Sequence, residues 1–180
     1  MTILERWRHQ VHEVPRAGIS QRREANEDLR KAVSDELGEL GCPKLVADYK
    51  IRNLGKGRFG LGGRVEAVVT RACVVTLEPL EETVSEALDC IFVPPEQMPG
   101  QQAEEEEVSS ADEYEPIEND VIAVGRVVFE VLAAGLNPYP RKDGVEYVGD
   151  ADALPSGKEA ESSHPFAALA QLKKDRDNSA

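Results

Sequence analysis

The sequence predicts an α+β fold: an antiparallel β-sheet, with curling towards an open barrel as one form of it, two packed helices and a short C-terminal helix. Apolar and polar residues alternate with period two through the centre of the chain, from residue 45 to residue 93. Stretches on either side recur with the helical period instead. Aromatic residues make up only 5% of the 180, so the core must be built from Val, Leu, Ile and Ala.

Residues 8–14 alternate weakly and predict a short edge strand, broken by Pro15-Arg16-Ala17-Gly18. A helix is predicted over 22–37, where Leu29, Ala32, Val33, Leu37 and Leu40 recur at helical spacing and Gly38 or Gly41 supplies the stop. Leu45, Ala47, Tyr49 and Ile51 then alternate with Val46, Asp48, Lys50 and Arg52, giving a strand with one apolar and one mainly polar face. Asn53-Leu54-Gly55-Lys56-Gly57 turns the chain into a second long strand, predicted to reach Leu77. Within it, Gly60, Gly62 and Gly63 suggest a bulge or a close approach of backbone. Residues 82–93 form a third strand, and the three read as a meander.

Residues 94–120 hold ten acidic and no basic residues, including Glu104-Glu105-Glu106-Glu107. Such a segment buries too little apolar area to offset its ordering entropy, so a disordered acidic loop is predicted at about 95–118. Val121, Val124, Val128, Val131 and Leu132 predict a buried helix over 121–135, with Asp120 as N-cap and Gly135 after its end. Asn137-Pro138-Tyr139-Pro140 forces an extended exit. One domain is thus expected over 1–142, followed by a flexible tether over 143–164. A short amphipathic helix over 165–174 carries Phe166, Leu169 and Leu172.

The formal net charge of −13 sits almost wholly in the acidic loop. Residues 1–93 hold 14 basic against 15 acidic residues, and residues 121–180 hold 7 against 9. From residue 44 to 71 seven basic residues face only Asp48 and Glu66. Lys50 and Arg52 fall on the polar side of the first long strand, and Arg58 and Arg64 on that of the second. With Lys56 in the turn, one face of the hairpin is cationic, the arrangement that lets a sheet contact phosphates. No exposed aromatic residue is expected on it to stack bases, which points to phosphate contact rather than base reading.

Other chemistries are poorly supplied. No apolar run approaches the ~18 residues of a membrane helix, and residues 1–8 do not resemble a secretory leader. Three widely spaced cysteines, Cys42, Cys73 and Cys90, suit buried free thiols in a reducing cytoplasm better than a disulfide framework. His9 and His12 lack further ligands at metal spacing and read as surface residues of a strand. Cys73 is expected mid-strand, buried with Val75 and Leu77. Arg71 shares that parity, which implies a bulge, a sheet rim or a buried partner such as Glu78. The glycines of residues 55–63 lack the Gly-Lys-Ser/Thr ending of a phosphate loop and lie between strands. No catalytic residue, metal ligand or cofactor site is therefore assigned.

Cys73-Val74-Val75-Thr76-Leu77-Glu78-Pro79, the helix that follows the acidic loop, Asn137-Pro138-Tyr139-Pro140-Arg141-Lys142 and Pro165-Phe166-Ala167-Ala168-Leu169-Ala170-Gln171-Leu172-Lys173 stand in that order. This order resembles the YceD family, also named large ribosomal RNA subunit accumulation protein, over about residues 5–174. Many relatives have Cys-x-x-Cys where this chain has Cys73-Val74-Val75-Thr76, so a zinc role does not carry over. Asp143 replaces the usual proline after Pro-Arg-Lys. The resemblance implies a non-enzymatic factor, of bacteria and plastids, needed for normal levels of large-subunit ribosomal RNA.

Two modes of action follow. In the first, Lys50, Arg52, Lys56, Arg58 and Arg64 bind the phosphates of large-subunit ribosomal RNA or its precursor. In the second, Glu104, Glu105, Glu106 and Glu107, with Arg141 and Lys142 as a further partner surface, hold a basic large-subunit ribosomal protein.

Overall fold

Three strands of 15 residues each dominate the structure. The computed structural model describes residues 4–98 and 113–145. In chain order its elements are β1 (His9–Gln10), β2 (Ile19–Glu24), α1 (Glu27–Leu37), β3 (Gly41–Gly55), β4 (Arg58–Ala72), β5 (Pro79–Val93), β6 (Tyr114–Pro116), β7 (Val121–Ile122) and α2 (Val124–Gly135). The chain divides after Asp143, and of the second unit only residues 144 and 145 are described. The predicted tether and C-terminal helix lie outside the described residues.

Five strands form one sheet in the order β2-β3-β4-β5-β6, while β1 and β7 form a separate two-stranded ladder. All neighbours in the main sheet are antiparallel except β5 and β6, which run parallel. Its two edges, β2 and β6, do not pair with each other, so these pairings do not close a barrel.

Alternation decides which face is buried. Leu45, Ala47, Tyr49 and Ile51 of β3, Phe59, Leu61, Val65, Ala67 and Val69 of β4, and Val84, Leu88, Cys90 and Phe92 of β5 all point inward. Val33 of α1 and Val124, Val127, Val128 and Leu132 of α2 complete one core with them. Full burial of a Val, Leu, Ile or Phe side chain stabilises by about 1.5–3 kcal/mol, so this face carries much of the stability.

The close approach expected of the β4 glycines occurs at Gly63, where a Cβ would run into the Asp48 carbonyl oxygen and Tyr49. The ladder stays in register there, so no bulge is needed. Gly125 has the same reason in α2: a Cβ would strike the Leu4 carbonyl oxygen, and the Gly125 amide donates to Trp7 O at 2.7 Å. The N-terminal segment thereby lies tight against the start of α2.

Several boundaries differ from the sequence expectation, each because a long-range pairing outweighs local propensity. Residues 22–24 belong to β2, which pairs with β3 from Ile19↔Ile51 to Glu24↔Val46. The helix starts only after Asn26, whose side chain accepts from Leu29 N at 3.0 Å, and it stops at Gly38 in the left-handed conformation. In the predicted strand over 8–14 only His9 and Gln10 pair, and Val11–Glu13 form a 3-10 turn. Val121 and Ile122 pair with β1, so α2 begins at Val124. Asp120 is not its N-cap but sits in a left-handed turn, its carbonyl accepting from Val11 N. Gly135 is the last helical residue rather than the one after.

The acidic loop is also shorter than predicted at both ends. Pro95–Gln97 form a 3-10 turn, Tyr114–Pro116 add a strand to the sheet and Ile117 is buried. Residues 99–112, Glu104–Glu107 among them, lie outside the described residues.

Arg71 is the one cation on the buried side of β4. Its guanidinium reaches Glu39 at 2.7 Å, Glu82 at 2.8 Å and the Asn137 carbonyl at 2.5 Å. The partners are thus Glu39 and Glu82, not Glu78. Burial opposes the charge, but the bonds from both carboxylates outweigh it and raise the pKa of Arg71. Removing the guanidinium strands two carboxylates that are only 14% and 18% exposed. Arg71→Ala should therefore cost about 3–5 kcal/mol in urea unfolding. Arg22→Ala, which breaks an ion pair exposed on both sides, should cost about 0–1 kcal/mol. Equal costs would show that the Arg71 network does not stabilise the fold.

Candidate nucleic-acid interface

The outward face of the main sheet collects the cations singled out in the sequence. Arg64 stands opposite Asp48, Lys50 opposite Gly62, Arg52 opposite Gly60 and Arg58 opposite Gly55. Arg64 is thus a diagonal neighbour of Lys50, and Arg52 of Arg58, with steps of about 7–8 Å. Lys56 occupies the turn, in the left-handed conformation, and the Gln97 side chain donates to its carbonyl at 3.0 Å. The five therefore form one line along the hairpin.

Ion pairing separates these five from their neighbours. Of the seven basic residues between 44 and 71, Lys44 is paired with Glu66 at 2.9 Å, and Arg71 is held in its buried network. Lys50, Arg52, Lys56, Arg58 and Arg64 make no ion pair among the described residues. Arg64 instead donates to Ser85 Oγ at 2.8 Å, and Arg58 Nε is enclosed without a partner. Asp89 is one exposed acid on the same side, in the row of Lys50 and Gly62.

Glycines shape the floor. Gly62 and Gly63 leave an open depression of about 470 Å³, edged by Arg22, Asp48 and Lys50. Over Gly60 lies the Leu54 side chain, 43% exposed. The row continues from Arg52 through Gly60 and Ile91 to Tyr114. In-register partners share a face, and Glu115, the next residue, reaches Arg126 of α2 on the inner face at 3.7 Å. Tyr114 therefore points outward on the edge strand, about 14 Å of strand spacing from Arg52 in the same row, and is half-buried. Tyr114 lies outside the hairpin face on which no exposed aromatic residue is expected, and it enters the sheet only through the parallel pairing of β6.

Arg141 and Lys142 are not part of this surface. Lys142 pairs with Glu78 at 2.7 Å, beside the turn that joins β4 to β5, and Arg141 is exposed. That turn lies at the far end of β4, about 50 Å of strand from the cationic turn.

Cys42, Cys73 and Cys90 are buried free thiols, as expected, but His9 and the position of Cys73 differ from the sequence reading. His9 is buried and bonds the Tyr49 hydroxyl through Nε2 at 2.9 Å, while His12 is exposed. Cys73 is not mid-strand: β4 ends at Ala72, Leu77 N closes a turn on the Cys73 carbonyl, and Leu77 is 77% exposed. The Thr76 hydroxyl and the amides of Thr76, Lys142 and Val75 converge on the thiol and pull its pKa down to about 6. Burial pushes the Cys42 thiol up, and burial with nearby carboxylates pushes Cys90 up to about 12. No group of three or more His, Cys, Asp or Glu is gathered for a metal among the described residues. A second concavity, of about 320 Å³, lies between the N-terminal segment and the start of α2, and its Glu115 and Arg126 face each other. No helix among the described residues is long and apolar enough to cross a membrane.

Among known families, the one described as large ribosomal RNA subunit accumulation protein YceD matches residues 61–173. This chain belongs to the YceD family. No match to a curated protein or to a solved structure reaches significance. The YceD match spans β4 from Leu61 through α2 and beyond, so Arg64 and Tyr114 fall inside it. Lys50, Arg52, Lys56 and Arg58 precede it, and their reading rests on this chain's own geometry.

Two titrations follow. Burial first, then the Arg23 charge, lower the pKa of His9 from 6.5. The unfolded chain therefore takes up the proton more readily, so the His9 contribution is complete above about pH 6.5 and is lost as the pH falls below it. Urea midpoints at pH 7.5 and 5.5 should drop on acidification in the wild type and drop less in His9→Gln. An equal drop would assign the effect elsewhere. For Cys73, thiolate absorbance at 240 nm should rise near pH 6, and Cys73→Ser should lose that step. Its persistence in Cys73→Ser would place the low-pKa thiol at another cysteine.

Proposed function

We propose that this protein supports accumulation of large-subunit ribosomal RNA by binding the RNA or its precursor on the outward face of the β3–β4 hairpin, as a binding factor rather than an enzyme. The observation that carries the reading is the ion-pair pattern: among the described residues five cations in one line make no ion pair, while Lys44 and Arg71 of the same hairpin do. An unpaired cation that contacts a phosphate displaces a counterion condensed on the RNA, and this supplies affinity; a cation already paired with a carboxylate must first give up that pair. The family's own description points to the same class of RNA. The cytoplasm, where ribosomal subunits assemble in bacteria, is the compartment this role requires.

Neutralising about five phosphates gives a log–log salt slope of roughly −3.5 on single strands and about −4.5 on duplex. Replacing Lys50, Arg52, Lys56, Arg58 and Arg64 together by alanine should flatten the slope and weaken binding, whereas Lys44→Ala should change little. Unchanged affinity in the fivefold variant would sink the assignment. The rival, a basic ribosomal protein held by Glu104–Glu107, is separated by a lysate pull-down with and without ribonuclease. RNA lost together with its proteins favours the hairpin; a basic protein retained after ribonuclease favours the acidic segment.

A further inference from the structure

We propose that the outward face takes unpaired, single-stranded RNA, and that Tyr114, on the edge strand, stacks a base while the hairpin cations of the same face hold the phosphates. The inference rests on the RNA-binding reading above and narrows it to one form of the polymer. Phosphate contact alone does not distinguish a duplex from a single strand, but an aromatic ring on the same face as the cations does. A base can lie on such a ring only if it is free of its own stack, as in loops, bulges and single strands.

Three observations place the ring for this task. First, Tyr114 stands in one row with Arg52, separated by Gly60 and Ile91. Second, the ground between is low and apolar: Gly60 has no side chain, Leu54 lies over it and Ile91 is half-buried. A planar base would meet an apolar floor there, with the ring at one side and the Arg52 and Lys50 charges at the other. Third, the Tyr114 hydroxyl makes no hydrogen bond among the described residues, so the fold does not fix it through a polar contact. A side chain that belonged to the core would lie with Glu115 on the α2 side of the sheet; Tyr114 lies opposite. Charge complementarity selects a polyanion for this surface, and the ring with its apolar floor selects one that carries exposed bases.

The test compares three probes by fluorescence anisotropy: a short single-stranded RNA, its abasic counterpart of equal length, and a blunt duplex. The wild type should bind the base-bearing strand about tenfold more tightly than the abasic one, as expected for one base stacked on an aromatic ring. Tyr114→Ala and Tyr114→Leu should erase that preference while leaving abasic affinity and the salt slope unchanged, and Tyr114→Phe should keep it. Thermal melts of the leucine and phenylalanine variants guard against a loss of β6. The stacking role is overturned if the wild type shows no preference for bases, if Tyr114→Leu keeps the preference, or if the duplex binds more tightly than the single strand. Failure of the electrostatic reading looks different: the fivefold alanine variant would then bind all three probes as well as the wild type does.

Discussion

The antiparallel register of β3, β4 and β5 is the constraint on which the rest of the molecule depends. Side chains alternate with period two, so a slip of one residue in either ladder would exchange the two faces. Leu61 and Val65 would then turn to water, and Lys50, Arg52 and Arg64 would turn to the core. The cost of burying unpaired charges makes that alternative prohibitive. Gly63 reinforces the register locally, since only a residue without Cβ fits against the Asp48 carbonyl. The same alternation that builds the core therefore builds the cationic surface, and neither can be had without the other.

Arg71 is the exception that such a scheme tolerates at the sheet's rim. It occupies an inward position, yet its guanidinium is supplied by Glu39 from the segment after α1, by Glu82 across the ladder and by the Asn137 carbonyl after α2. One charge thus ties together three parts of the chain that are far apart in sequence. At the opposite end of β4 the cations have no such partners among the described residues. The contrast is one of placement: carboxylates converge where a charge must be buried, and are sparse where charge faces water.

Strand β6 links the acidic segment to that second end. The chain leaves the sheet where β5 ends at Val93, its Gln97 side chain bonds the Lys56 carbonyl, and it returns to the sheet at Tyr114, which pairs with Ile91. Its return completes the sheet edge, buries Ile117 and sets an aromatic ring on a face that otherwise carries charge. The turn around Cys73, at the other end, gathers its own amides and that of the distant Lys142 on a thiol and leaves Val74 and Leu77 exposed.

What the sequence determined by itself was local and periodic. Two-residue alternation gave the three long strands, the side each residue faces, and hence Lys50, Arg52, Arg58 and Arg64 on one surface. Helical spacing gave the cores of α1 and α2, and Gly38 the end of the first. Tertiary structure decided whatever depends on a partner distant in the chain. It converted residues 22–24 and 121–122 from helix to strand, because β3 and β1 offered ladder bonds that local propensity could not weigh. It paired Lys44 and Arg71 and, among the described residues, left the other five cations without an ion pair, a distinction invisible in a count of charges. It buried His9 against Tyr49, and it brought Tyr114 out of an acidic stretch onto the sheet. Periodicity specifies which way a side chain points along its own strand; only the assembled sheet specifies what it points at.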